Sequence, residues 1–290
     1  MSTVAEILTN IGYNMFRGTI TTTSDPPEAQ YIAMINETID TIVKVLAENN
    51  SDIGRTTGSI TCAESAITAI TAADPGSVTS ASHGFATGDV ITISGVVGMT
   101  EVNDRDFTIT WVDANTYTIG VATTDYTAYT SGGYGYKSVY SDLASTLYTV
   151  AVFSDDNGDE FSGWIEKTDS RPTLQLVTEA KVQEYQPGQA DEPECFFLNG
   201  DNNIVFLPTP DDAYTIKIPY YPLQTVSATT DTVPFKNLFD NLIIQAITTR
   251  MQHRIGNLER APTEWDWFKF VHDRVLRTIL LRRRQQVRVI

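Results

Sequence analysis

Asp89-Val90-Ile91-Thr92-Ile93, Asp106-Phe107-Thr108-Ile109-Thr110-Trp111 and Thr116-Tyr117-Thr118-Ile119 alternate apolar with polar residues and are rich in β-branched types. That two-residue period is the mark of half-buried strands. With Ile67-Thr68-Ala69-Ile70-Thr71 they fall inside residues 59–137, which hold fifteen threonines, nine glycines and two basic residues, Arg105 and Lys137. Asp74-Pro75-Gly76, Thr87-Gly88-Asp89 and Asp113-Ala114-Asn115 supply turns between them. The stretch predicts a small all-β domain of sandwich or barrel type, and the Gly- and Tyr-rich 126–136 reads as its exit linker.

The flanks are worded differently. Thr3 and Glu6 form a capping-box pattern ahead of a helix over 3–11. Asp25 as cap, Pro26 in the first turn and the stripe Ile32, Ile35, Ile39, Ile42, Val43, Leu46 predict a helix over 26–48. Residues 138–234 are again β-rich: Leu147–Phe153, Gly163–Glu166, Glu194–Leu198, Asn203–Leu207 and Tyr214–Ile218 read as strands, with a short helix within 178–185 and turns at Asn199-Gly200-Asp201 and 208–212. Leu238, Phe239, Leu242, Ile243, Ala246 and Ile247 predict a helix over 236–255 closed by Gly256, and a last helix covers 262–284. The expected fold is therefore α+β. A helical bundle from the N- and C-terminal segments joins a β-domain over 1–58 and 138–290, and 59–137 is an inserted all-β domain, a placement that costs little loop-closure entropy.

Charge divides the chain. The whole carries −16, yet residues 250–290 contain ten Lys/Arg against four Asp/Glu. A basic end on an acidic body suits a component that docks onto something negative. The start lacks the basic and apolar pattern of a signal peptide, and no run of eighteen apolar residues occurs, so a protein staying in the cytosol or in a particle, without a membrane partner, is expected.

Chemistry-bearing motifs are sparse. Asp155-x-Asn157-x-Asp159 with Glu166 imitates a calcium loop, but Glu160 stands where glycine should, so the stretch reads as a solvated hairpin turn. His83 reads as a side chain bonding local backbone, and Cys62 and Cys195 as buried apolar residues. No phosphate-cradling glycine loop or nucleophile elbow is present; neither catalysis nor a cofactor or metal is expected. Trp265, Trp267, Phe268 and Phe270 around Lys269 read as core plus subunit contact in preference to a base-stacking platform. Arg282, Arg283, Arg284, Val287, Arg288, Val289 and Ile290 form a basic arm whose end alternates like a strand. It reads as a docking arm adding to a neighbour's sheet edge, with a DNA-phosphate tail as the competing reading.

Two resemblances follow. The pattern Asn203-Ile204-Val205-Phe206-Leu207-Pro208-Thr209-Pro210-Asp211-Asp212-Ala213-Tyr214-Thr215-Ile216-Lys217-Ile218-Pro219-Tyr220-Tyr221-Pro222, then a polar stretch to Val233-Pro234 and a helix, resembles the head-to-tail adaptor (connector) proteins of tailed bacteriophages. That resemblance implies a structural protein of the virion neck, assembled in the host cytoplasm as a dodecameric ring. It would join the portal protein to the next tail or neck protein and continue a channel through which double-stranded DNA passes without sequence-specific binding. Ser82-His83-Gly84-Phe85-Ala86-Thr87-Gly88-Asp89-Val90-Ile91-Thr92-Ile93-Ser94-Gly95 and Asn115-Thr116-Tyr117-Thr118-Ile119 resemble a β-module of phage structural proteins and the β-rich insertion of ubiquitin-activating enzymes. A host-surface adhesin or fibre-associated protein using that module is the alternative function.

Overall fold

A computed structural model describes residues 2–15, 18–24, 26–155, 157–185, 190–254 and 264–287; at 253, 254, 264, 265 and 283–287 it describes the backbone only. The chain is α+β with several separate sheets. It forms two compact units, Met1–Thr56 with Tyr221–Ile290, and Thr57–Tyr220. Residues 138–220 thus group with the threonine-rich segment, where the sequence reading placed them with the helices.

The described residues of the first unit form four helices. α1, Val4–Asn14, starts with the reciprocal Thr3–Glu6 capping box. Its next free N–H groups, on Val4 and Ala5, donate to the carbonyls of Asp231 and Thr229, which meets the unsatisfied donors of a helix start. α2, Glu28–Glu48, begins two residues later than its sequence signals suggest, with Pro27 extended at the cap position and giving no side-chain bond. A residue before proline is pushed out of the helical region, so Pro26 cannot open the helix; the Asp25 cap lies outside the described residues. The end of α2 is a Schellman motif: Asn50 takes φ 43°, the Ser51 N–H donates to Leu46 and the Asn50 N–H to Ala47.

α3, Asp240–Arg254, also starts later than expected. Phe235, Lys236 and Asn237 take φ of 72°, 49° and 66°, a left-handed turn closed by the Leu238 N–H donating to the Phe235 carbonyl at 3.0 Å. The Asn237 side chain accepts from the Ser2 N–H at 2.7 Å. The expected closing glycine, Gly256, is outside the described residues. α4 is Glu264–Val287. α1 packs on α3, and α2 on both α3 and α4. The one-sided stripes read from the sequence supply the contact: Ile7 and Ile11, Ile35, Ile39, Ile42 and Leu46, Ile243 and Ile247, Val275 and Ile279 are all buried.

In the second unit the largest sheet runs Thr56–Thr61, Thr215–Pro222, Gly163–Ile165, Thr173–Leu176, Cys195–Leu198, Ile204–Leu207, Val139–Tyr140, with Leu147–Val150 also paired to Thr215–Pro222. The expected hairpin at Asn199 is present, with Phe196 opposite Phe206. The Asn199 side chain accepts from the N–H groups of Asp201 and Asn203. Tyr140, Phe196, Phe206, Ile216 and Ile218 share one core. The short helix expected within 178–185 is a 3-10 helix, Glu179–Glu184.

The threonine-rich segment builds two four-stranded sheets. One is ordered Glu64–Ala66, Ser131–Lys137, Val90–Val97, Arg105–Thr108; the other Ala69–Ile70, Ser77–Thr79, Thr116–Thr118, Thr110–Asp113. Val78, Ile91, Ile93, Met99, Phe107 and Tyr117 form a core of their own between them. The exit-linker reading of 126–136 is corrected: Ser131–Lys137 is a strand paired on both sides. Its glycines make room instead of loosening the chain. A Cβ on Gly133 would lie 2.4 Å from Val96 Cγ2, and one on Gly135 2.9 Å from the Tyr117 hydroxyl.

Candidate docking site

α4 turns Val271, Val275 and Ile279 inward, while the next two residues, Leu280 and Leu281, are 56% and 61% exposed. Arg282 follows, its guanidinium 3.2 Å from the Asp52 carboxylate. Both side chains are half in water, so the pair contributes at most about 1 kcal/mol. The helix carries the arm's backbone as far as Val287. The strand-like reading of 286–290 is corrected to that extent, because a run of Leu, Arg and Gln favours helix. The side chains of Arg283, Arg284 and Val287, and all of Arg288, Val289 and Ile290, lie outside the described residues.

At the other end of α4 the aromatic cluster is occupied by the protein's own cations. The Arg250 guanidinium sits 5.1 Å from the Trp267 ring centre and also pairs with Glu37. Lys44 lies 5.9 Å from the Phe268 ring and Arg274 5.7 Å from Phe270. Trp267 and Phe268 line a cleft of about 550 Å3 with Glu37, Asp40, Thr41 and Lys44. Half-buried rings capped by cations fit the packing role better than base stacking. The Trp265 side chain is outside the described residues.

The motifs that imitate sites take structural roles. His83 is buried; its Nδ1 accepts from the Phe85 N–H at 3.1 Å, which leaves Nε2 to donate to the Asp113 carbonyl at 2.9 Å. Asp155 accepts from the N–H groups of Asn157 and Asp159 at 2.8 and 2.9 Å, so its carboxylate builds the turn. Burial pushes the Cys62 thiol up to about 12, against the opposing bond to Tyr140, and a thiol so protonated is inert. Burial also raises Cys195. Among the described residues no three His, Cys, Asp or Glu side chains are grouped to hold a metal ion, and no helix is long and apolar enough to cross a membrane.

A second cleft escaped the sequence reading. Arg55, Lys236 and Arg282 line a hollow of about 800 Å3 in the helical unit, with Asp52 the one acid among its described lining residues. The three cations come from segments far apart in the chain, and no local pattern links them. Gly54 forms part of the wall with φ 74°, and a Cβ there would meet the Phe235 ring at 3.0 Å.

Residues 74–138 match the ubiquitin-activating enzyme E1 FCCH domain family, in agreement with the likeness read from Ser82 to Gly95. The match covers less than a quarter of the chain and speaks for that β-module alone. No curated protein matches the chain.

Proposed function

We propose that this protein is a structural component of the phage neck: a ring-forming head-to-tail adaptor that joins portal to tail. It acts by position and charge, with no catalytic step. The reading is carried by the end of α4, where Leu280, Leu281 and Arg282 stand exposed or half exposed at the head of an arginine-rich tail on a chain of net charge −16. Such a cationic, apolar terminus needs an acidic partner. The phage-adaptor wording of 203–222 supports the same reading. In a closed ring each subunit offers one surface to a different surface of the next. A mostly anionic channel wall would hold DNA phosphates weakly and let the duplex slide.

The test is a truncation before Arg282. Particles carrying it should have closed heads that never acquire tails, and normal tailing would overturn the docking role. The adhesin reading draws on Trp111, 49% exposed on the edge strand Thr110–Asp113 of the inserted module. Filled, tailed virions that lack 59–137 and cannot adsorb would favour it.

A further inference from the structure

The acidity of the molecule is confined to one of its two units. Residues 57–220 hold twenty-three Asp/Glu against six Lys/Arg, and the remainder of the chain thirteen against fourteen. Ion pairs inside the β-rich unit leave that balance untouched, since each cancels one charge of either sign. α4 carries the opposite sign on its outer side. Phe270, Arg274, Arg277 and Leu281 recur at steps of four, three and four residues, so they line one face. It lies opposite the buried stripe of Val271, Val275 and Ile279. Arg274 and Arg277 are exposed, and neither has a carboxylate partner among the described residues. Asp273, the acid nearest them in sequence, leans on His272 at 3.4 Å. From Arg274 to Val287 the sequence has five Arg and no Asp or Glu. Arg282 is already neutralised by Asp52, which leaves Arg274 and Arg277 as the uncompensated charges of the face. Leu280 adjoins it and is, like Leu281, more than half exposed.

We infer that the outer face of α4 docks on the acidic Thr57–Tyr220 unit of a second copy of the chain. A helix side that joins two free arginines to two bare leucines fits a protein surface better than a nucleic acid. Phosphates match the arginines and leave the leucines in water. The arginines supply direction, drawing α4 to the β-rich unit of a neighbour and away from a second α4. The inner side of the helix is already packed, so the outer side is ordered before contact and loses little freedom on binding. The two surfaces differ, so the contact is head-to-tail, the type that propagates or closes into rings. The inference rests on the self-assembly part of the proposed function and names the two surfaces that meet.

The experiment uses the full chain, with and without portal, and reads assembly by sedimentation at low and high salt. One variant carries Arg274→Glu with Arg277→Glu, and a second Leu280→Ser with Leu281→Ser; the arm from Arg282 onward is intact in both. The first should lose about a hundredfold in self-affinity at low salt, because facing like charges is costly. The second should lose about tenfold. Salt near 1 M, with a screening length of about 3 Å, should narrow the gap between the parent and the first variant. A photoreactive phenylalanine analogue at position 270, in a mixture of isotope-labelled and unlabelled chains, should join α4 of one copy to residues 57–220 of another. Either variant assembling like the parent, or crosslinks that reach only the helical unit of the other copy, would overturn the inference and leave the adaptor reading standing. Loss of duplex DNA retention by the first variant with assembly unchanged would also overturn it, assigning the face to phosphate. A parent chain that stays monomeric even with portal would sink the inference and the adaptor reading together.

Discussion

Lys137 and Ala63 are hydrogen-bonded at the root of the inserted module: the Lys137 N–H donates to the Ala63 carbonyl at 2.9 Å. The two chain crossings therefore lie side by side, and the module leaves and returns through one opening. Joining Ala63 to Lys137 with a short glycine link should leave the remaining sheet folded. Closing a short loop costs less entropy than closing the long one it replaces. Denaturant unfolding should stay cooperative, with a lower m-value in proportion to the surface removed; a non-cooperative transition would refute the independence of the parent sheet.

Tyr140 clasps that root. Its hydroxyl donates to the Lys137 carbonyl at 2.8 Å and accepts from the Ala63 N–H at 3.3 Å. Tyr140→Phe removes both of these bonds, and the one to the Cys62 thiol, while keeping the ring in its core. The expected loss is about 1–3 kcal/mol, read as a lower denaturant midpoint at unchanged m.

Phe206 is fully buried between Tyr140 and Phe196, with ring centres 5.4 and 6.1 Å away. Phe206→Ala leaves a cavity in a tightly packed sheet core and should cost about 3–5 kcal/mol. Chemical denaturation of the full chain measures it.

Gly54 meets two demands at once, a left-handed backbone and the face of Phe235 at its missing Cβ. Gly54→Ala should destabilise the helical unit by about 1–2 kcal/mol from the backbone alone, and a thermal melt would register the shift. A variant as stable as the parent would show that Phe235 yields freely.

Asp231 gives a pH signature. Its carboxylate accepts from the N–H groups of Ser227 and Ala228 and from the Ser227 hydroxyl, which hold it below the usual carboxylate range. A carboxylate lowered in the fold contributes stability above its unfolded pKa of about 3.9 and loses it as pH falls through the folded value. Asp231→Ala should therefore melt earlier than the parent near neutral pH, and the gap should close in acid. A gap independent of pH would mean that the loop stands without the carboxylate.

What could be read in advance was local. The Thr3–Glu6 box, the turn at Asn199, the bond from the Phe85 N–H to His83 and the turn-building role of Asp155 depend on neighbours within a few residues, and the structure shows each of them. The misreadings came where distant contacts decide. Gly133 and Gly135 resemble linker glycines until Val96 and Tyr117 are placed against them. Nothing near Phe235, Lys236 and Asn237 announces φ above zero in three side-chain-bearing residues, so α3 starts later than its apolar pattern suggests. Arg55, Lys236 and Arg282 share a cleft only because the fold gathers three remote segments. Charge counting found the third of these and had no means of finding the other two.

The parent sheet keeps Phe196, Phe206 and Ile216 in one core, and the module keeps Val78, Phe107 and Tyr117 in another. Damage to one is thereby quarantined from the other. A lineage carrying this chain can let the module's interior drift, or exchange it wholesale by recombination at 63 and 137, while the remainder stays under its own selection. The architecture separates what can be varied cheaply from what must be kept.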